Sequence, residues 1–224
     1  MKATGYVLKS RDYIGSAEPP ATVLEDESGR GNNGAFKGAG EPDWVRRPSG
    51  LWVSRFDGTD DEIVVPDAPS LDITKAITLE AWVKADTLPL DGVLGSYEIF
   101  RKSSAYMLGW YSDGGTINYL RLHCWGPGAI ATWNTSNFST GVWHHIVGTY
   151  DRVNGKLYVD GVERDSNADD TAISTSANDL GIGSDGVSGG EFDGDMVMHR
   201  IRNYALSAEV IAARFQSKKH WFGV

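Results

Sequence analysis

The sequence predicts an all-β protein: two antiparallel sheets packed as a sandwich, with one short helix near the C-terminus. Three observations carry this. Short runs in which apolar and polar residues alternate recur along the chain, at strand rather than helix length. Turn-forming clusters separate them, and Gly alone supplies 27 of the 224 residues. Nothing alternates strand with helix in the manner that builds a parallel sheet.

Turn motifs stand at residues 29–34, 56–58, 113–115, 153–155, 160–161 and 184–190. Between them, residues 77–84 (ITLEAWVK) and 119–125 (YLRLHCW) alternate cleanly, and 105–111, 143–150, 156–160 and 196–202 have the same character. Asn154-Gly155 joins two of these runs and reads as a hairpin turn. Only residues 208–215 carry a helical period, with Ser207 as N-cap. The inward-facing set expected from the alternation includes Leu79, Ala81, Val83, Leu120, Leu122, Ile146, Leu157 and Val159. No repeat or linker interrupts the chain, so residues 1–216 read as one domain and 217–224 as a C-terminal tail.

Composition narrows the function classes. Lys and Arg number 21 against 30 Asp and Glu, a formal net charge of −9. A duplex-binding protein needs the opposite sign to displace counterions, so no nucleic-acid partner is expected, nor electrostatic attachment to anionic lipid. The 11% aromatic content argues against a disordered chain. Cys124 is the only cysteine, which leaves no intrachain disulfide and no cysteine-ligated zinc. No apolar run reaches the roughly 20 residues of a membrane helix. The first ten residues hold no apolar leader core, so the expectation is a chain made in the cytoplasm, or extracellular if a leader has been removed.

Six blocks carry a family resemblance. They are Asp26-Glu27-Ser28-Gly29-Arg30-Gly31-Asn32-Asn33-Gly34; Phe56-Asp57-Gly58-Thr59-Asp60-Asp61 followed by VPDAPSLD at 65–72; residues 77–84; Trp143-His144-His145 through Thr149-Tyr150-Asp151; KLYVDG at 156–161; and Arg200-Ile201 through Ala205-Leu206-Ser207. In this order, over residues 5–216, they resemble the laminin-G-like members of the concanavalin A-like lectin and glucanase jelly rolls. The resemblance implies a jelly roll with one concave sheet. It also implies a role in binding glycans or proteins, or as an accessory module beside an enzyme.

A fold does not settle chemistry, so the residues must be weighed one site at a time. Related glucanases carry Glu-x-Asp-x-Glu on one strand, where alternation places three carboxylates on one face. The nearest match is Glu191-Phe192-Asp193-Gly194-Asp195, but its last position is the shorter Asp and Gly194 marks a bend. These carboxylates are expected to be exposed in a loop, and no catalytic residue is expected. Calcium takes clustered oxygens, which Asp26, Asn33, Asp57, Asp60 and Asp61 could offer from turns. In many relatives the last strand reads Ile-Asp-x-Val-Arg and its Asp helps hold a structural calcium. Here the Asp position is Val197, which cannot be a ligand. Turn chemistry accounts for the remaining Asp and Asn residues, so no cofactor is expected, with structural calcium as the alternative. His144 and His145 point to opposite faces of a strand and cannot chelate jointly.

The strongest binding candidate is the strand at 119–125. Tyr119, Arg121, His123 and Trp125 share one face, and Leu120, Leu122 and Cys124 share the other. With the apolar set inward, an aromatic and cationic row faces out, suited to a sugar ring or to a protein interface. The competing reading is an aromatic layer under a loop. Trp82, Trp110 and Trp133 belong either to this surface or to the core. The expected function is a non-catalytic binding or structural protein used for adhesion or assembly, such as a virion surface component. The aromatic tail residues Trp221 and Phe222 fit docking. The alternative is a carbohydrate-binding module recognising polysaccharide, with a glycoside hydrolase third; the partner is a glycan or a protein.

Overall fold

The computed structural model describes residues 5–15, 17–39, 42–89, 94–114, 118–184 and 190–224. In chain order the strands are β1 (Tyr6–Lys9), β2 (Val23–Leu24), β3 (Gly34–Lys37), β4 (Asp43–Arg46), β5 (Trp52–Asp57), β6 (Glu62–Val65), β7 (Ile77–Ala85) and β8 (Leu94–Lys102). There follow β9 (Tyr106–Asp113), β10 (Asn118–Cys124), β11 (Gly128–Asn134), β12 (His144–Tyr150), β13 (Asn154–Val159), β14 (Val162–Ala168), β15 (Leu180–Ile182), β16 (Asp193–Arg202) and the helix α1 (Ala208–Lys218). The back sheet runs β14-β13-β12-β7-β16-β5-β4, with β1 also paired to β16; the front sheet runs β11-β10-β9-β8-β15-β6-β3-β2. The strand pairs are antiparallel, and the two sheets form the jelly-roll sandwich that the alternation predicts.

Alternation decides which residues enter the space between the sheets. Leu79, Ala81, Val83, Leu120, Leu122, Ile146, Leu157 and Val159 are all buried there, together with Phe56, Phe100, Trp110 and Phe192. Burying each of the large side chains contributes about 1.5–3 kcal/mol. Trp110 meets Phe138 edge-on and Phe192 in a stack, and Trp133 lies partly buried beside them.

Two turns show how local chemistry sets register. Asp160 and Gly161 have φ of 55° and 77° between β13 and β14, the positive pair a type I′ hairpin needs. Asn154-Gly155, in contrast, is not a turn. The β12–β13 reversal is made one step earlier, where Asp151 Oδ1 accepts the N–H groups of Val153 and Asn154. Gly155 lies within β13 because Ile130 occupies the space a Cβ would take. The turns read at 113–115 and 184–190 fall partly outside the described residues.

The back sheet departs from simple alternation. Strand β7 is buried on both sides except at Lys84, because α1 and the residues after it cover the outer face. Ile211 of α1 packs on Val147 and Tyr158, and Trp82 stacks on Phe222 with ring centroids 4.0 Å apart. Trp221 and Phe222, expected as free docking groups, are therefore partly buried against their own sheet. The helix runs three residues past the predicted Phe215, and Ser207 takes the N-cap position without a side-chain capping bond.

Beneath α1, Glu80 is fully enclosed with His145 at 3.0 Å, Arg202 at 2.7 Å and Arg214 at 2.8 Å. Burial alone would raise this carboxyl; the hydrogen bond from His145 and the charges of Arg202 and Arg200 outweigh it and hold the group well below the usual carboxylate range.

Candidate recognition face on the front sheet

Strand β10 lies between β9 and β11, and its register with β9 sets the site. Tyr119 is opposite Tyr111, Arg121 opposite Gly109, and His123 opposite Met107, all on the outward side. Leu120, Leu122 and Cys124 face the core. Tyr119, Arg121 and His123 are half-buried, and so is Trp125, which follows the last residue of the strand.

These side chains are held in pairs. The Arg121 guanidinium lies 3.9 Å from the centroid of the Tyr111 ring, and its NH2 reaches Met107 Sδ at 3.5 Å. Gly109 leaves the gap that Arg121 spans; a Cβ there would meet the carbonyl of Tyr97 at 2.4 Å and Glu98 Oε2 at 2.9 Å. His123 stands edge-on to Trp125 at 4.4 Å, and the Arg101 guanidinium sits over the Trp125 ring at 5.5 Å. Arg101 is fixed in turn by Glu98 Oε1 at 2.9 Å. Burial, with Arg121 and Arg101 nearby, pushes the His123 imidazole down to about 4, so the ring is neutral at pH 7. Burial also lowers the Arg121 guanidinium from its ordinary value.

Beside Arg101 the surface continues into a cleft of about 240 Å³, lined by Glu62, Val64, Arg101, Ser103, Asn178, Asp179 and Gly181. At about 4.8 Å per strand, the path from β10 to β6 spans roughly 19 Å. The four residues picked out in β10 and its end thus belong to a larger face. Tyr111, Met107 and Gly109 were legible in the alternation of residues 105–111. Arg101 and Glu98 were not, because β8 carries a bulge between Glu98 and Phe100 that breaks its period. Trp82, Trp110 and Trp133 contribute nothing to this face, being committed to the two buried clusters.

The remaining candidates resolve differently. Asp193 and Asp195 are not in an exposed loop: they begin β16, flanked by β5 and β7, and Asp195 is fully buried. Arg47 is hydrogen-bonded to Asp195, with Lys84 3.8 Å away, and Arg55 holds Asp193 at 3.1 Å. Glu191 is half-buried just ahead of the strand. Asp26 accepts the N–H groups of Lys9, Ser28 and Asn32 and the Ser28 hydroxyl, which fills its lone pairs and makes it a turn organiser rather than a ligand. Asn33 Oδ1 accepts the Asp26 N–H.

Asp57, Asp60 and Asp61 do come together, each with a carboxylate oxygen within 4.8 Å of the others. Each also gives an oxygen to a backbone N–H, of Thr59, Ala39 and Asp57 respectively. Three oxygens are half of the six to eight that calcium takes. Burial, then the neighbouring carboxylates of Asp57, Asp60 and Asp43, raises Asp61 to about 6. Val197 lies away from this cluster, in the apolar layer with Trp82, Leu51 and Val53. His144 and His145 separate as the alternation requires: His144 pairs with Asp160 at 2.8 Å, and His145 with Glu80.

A family model described as the concanavalin A-like lectin/glucanases superfamily matches residues 57–212, more than half of the chain. No curated protein matches in sequence. Among solved structures, the binding domain of Paraclostridial Mosquitocidal Protein 1 superposes with a TM-score of 0.70 at 16% identity, covering 98% of this chain and 55% of that one. Domain 4 of AbnA, an extracellular arabinanase from Geobacillus stearothermophilus, solved in complex with arabinotriose, gives 0.61 at 19% identity, over 92% and 98% of the two chains. The binding domain of Botulinum Neurotoxin DC in complex with SialylT gives 0.64 at 13% identity, over 96% and 52%. The chain thus spans about half the length of the toxin binding domains and nearly all of the arabinanase domain.

Proposed function

The chain belongs to the concanavalin A-like lectin/glucanases superfamily, and from that premise we propose that it is a non-catalytic glycan-binding domain whose recognition face is the outer side of the front sheet around Trp125. One observation carries the reading. Trp125, His123, Arg121 and Tyr111 present half-buried rings and hydrogen-bonding groups side by side, continuous through Arg101 with a cleft. A ring such as Trp125 packs on the apolar side of a pyranose, while neutral His123 donates to or accepts from its hydroxyls and the two arginines donate to them. The structural likeness to a domain solved with arabinotriose and to one solved with SialylT supports a glycan over other ligands.

The non-catalytic part rests on the carboxylates. Glycoside hydrolysis needs a pair free to act as acid and as base or nucleophile. Asp193 and Asp195 are engaged by Arg55, Arg47 and Lys84 instead. A protein partner is the second reading, since Trp, Tyr and Arg are also the residues that dominate protein interfaces. The virion role loses the docking tail as an argument, because Trp221 and Phe222 are used internally.

A glycan array followed by calorimetric titration of the best hit tests the proposal. Trp125→Ala is expected to weaken binding by about 1–3 kcal/mol with a small change in melting temperature. A blank array, with a purified protein partner bound through a Trp125-dependent contact, would replace the glycan reading by the second one.

A further inference from the structure

We infer that the glycan recognised by this face carries a carboxylate, and that Arg121 is the group that receives it; the inference rests on the reading of the face given above. The protein pairs its other enclosed arginines with carboxylates. Arg47, Arg55, Arg101, Arg200, Arg202 and Arg214 are each buried or half-buried, and each has a carboxylate within 4.0 Å. Arg121 is half-buried too, and among the described residues it has none. Its Nε is enclosed without an acceptor, and its NH2 meets only the thioether of Met107, a weak acceptor. Glu98, across the Gly109 gap, is turned to Arg101.

Enclosing a cation without a counter-charge is unfavourable unless something supplies one. The chain carries nine more acidic than basic side chains, yet the one whose charge reaches Arg121, Glu98 beyond Gly109, is ion-paired to Arg101 and lies more than 4.0 Å from the Arg121 guanidinium. The Tyr111 ring covers the guanidinium from one side, 3.9 Å from its centroid. The planar fork of a guanidinium suits the two coplanar oxygens of a carboxylate better than the single hydroxyls of a neutral sugar. His123 stands two residues along the same strand face, roughly 6.8 Å away, where it can take a hydroxyl of the same sugar unit. A uronate and a sialate both present this chemistry.

Calorimetric titration of the full chain separates the sources and tests the assignment. The probes are oligogalacturonate against its carboxyl-reduced counterpart, and sialyllactose against lactose. At least one acidic member is expected to bind about tenfold or more tighter than its neutral counterpart, a preference that falls as sodium chloride is raised. Arg121→Gln should abolish the preference by weakening the acidic member far more than the neutral one, with Arg121→Lys keeping part of it. A melting curve matched to the parent shows that each variant is folded. Equal affinity within both pairs, failure of both acidic members to bind, or loss of acidic and neutral binding alike in Arg121→Gln would overturn the inference. Dextran sulfate bound as tightly as the carboxylate would overturn it too, since charge alone would then suffice. Trp125-dependent binding of a neutral glycan would leave the reading of the face standing while this inference falls.

Discussion

His199 shows how much a single buried group can govern. It lies on β16 with both ring nitrogens unpartnered, edge-on to Phe100 at 6.3 Å. Burial, reinforced by Arg200, pushes it down to about 3, so the fold holds it neutral. A depressed imidazole contributes stability that is complete above its unfolded value of about 6.5 and is lost as pH falls toward 3. His199→Leu is expected to flatten the decline in melting temperature across that window. Asp61 acts in the opposite sense: raised to about 6, it binds its proton more tightly when folded, so its contribution weakens the fold as pH rises from about 4 to 6. Asp61→Asn keeps an oxygen for the Asp57 N–H and removes the repulsion, and should raise the melting temperature at pH 7. A lower melting temperature in that variant, restored by no added cation, would contradict this account of the cluster.

At the scale of the element, β10 and α1 teach different lessons. In β10, alternation alone sent Leu120, Leu122 and Cys124 inward and Tyr119, Arg121 and His123 outward. Leu122 lies over Gly148, where a Cβ would come within 2.9 Å of its Cδ1. Leu122→Ala should cost about 2–5 kcal/mol in chemical denaturation, since the gap has no side chain to fill it from below. The register of β10 thus follows from its own residues. The burial of β7 does not: Thr78, Glu80 and Trp82 alternate as an outer face should, and the distant segment from Tyr204 through α1 to Phe222 covers them. Phe222→Ala should lower stability by about 1–3 kcal/mol and shift tryptophan emission to the red, because Trp82 loses its stacked cover. Asn154-Gly155 failed as a turn signal for a related reason. The glycine answers to Ile130 on another strand, and no local pattern reports that.

For the whole molecule, the two outer faces divide the work. The back sheet is closed by the chain's own helix and tail, and its charges are satisfied internally around Glu80. The front sheet is left with half-buried rings and an arginine that, among the described residues, has no carboxylate within 4.0 Å. Sandwich architecture, core and the β10 row were legible in sequence because each depends on period-two alternation. The partners Arg101 and Glu98, the ion-paired Asp195 and the covered β7 were not, because a bulge, neighbouring strands and a distant helix place them. The proposed recognition face is the outer side of the front sheet, and amide chemical-shift mapping during titration with a bound oligosaccharide tests that most directly. Shifts concentrated on β9, β10 and Trp125, extending to Arg101, are the predicted result. Shifts concentrated instead on the Asp57–Asp60–Asp61 turn, or on the face covered by α1, with β10 unmoved, would contradict it.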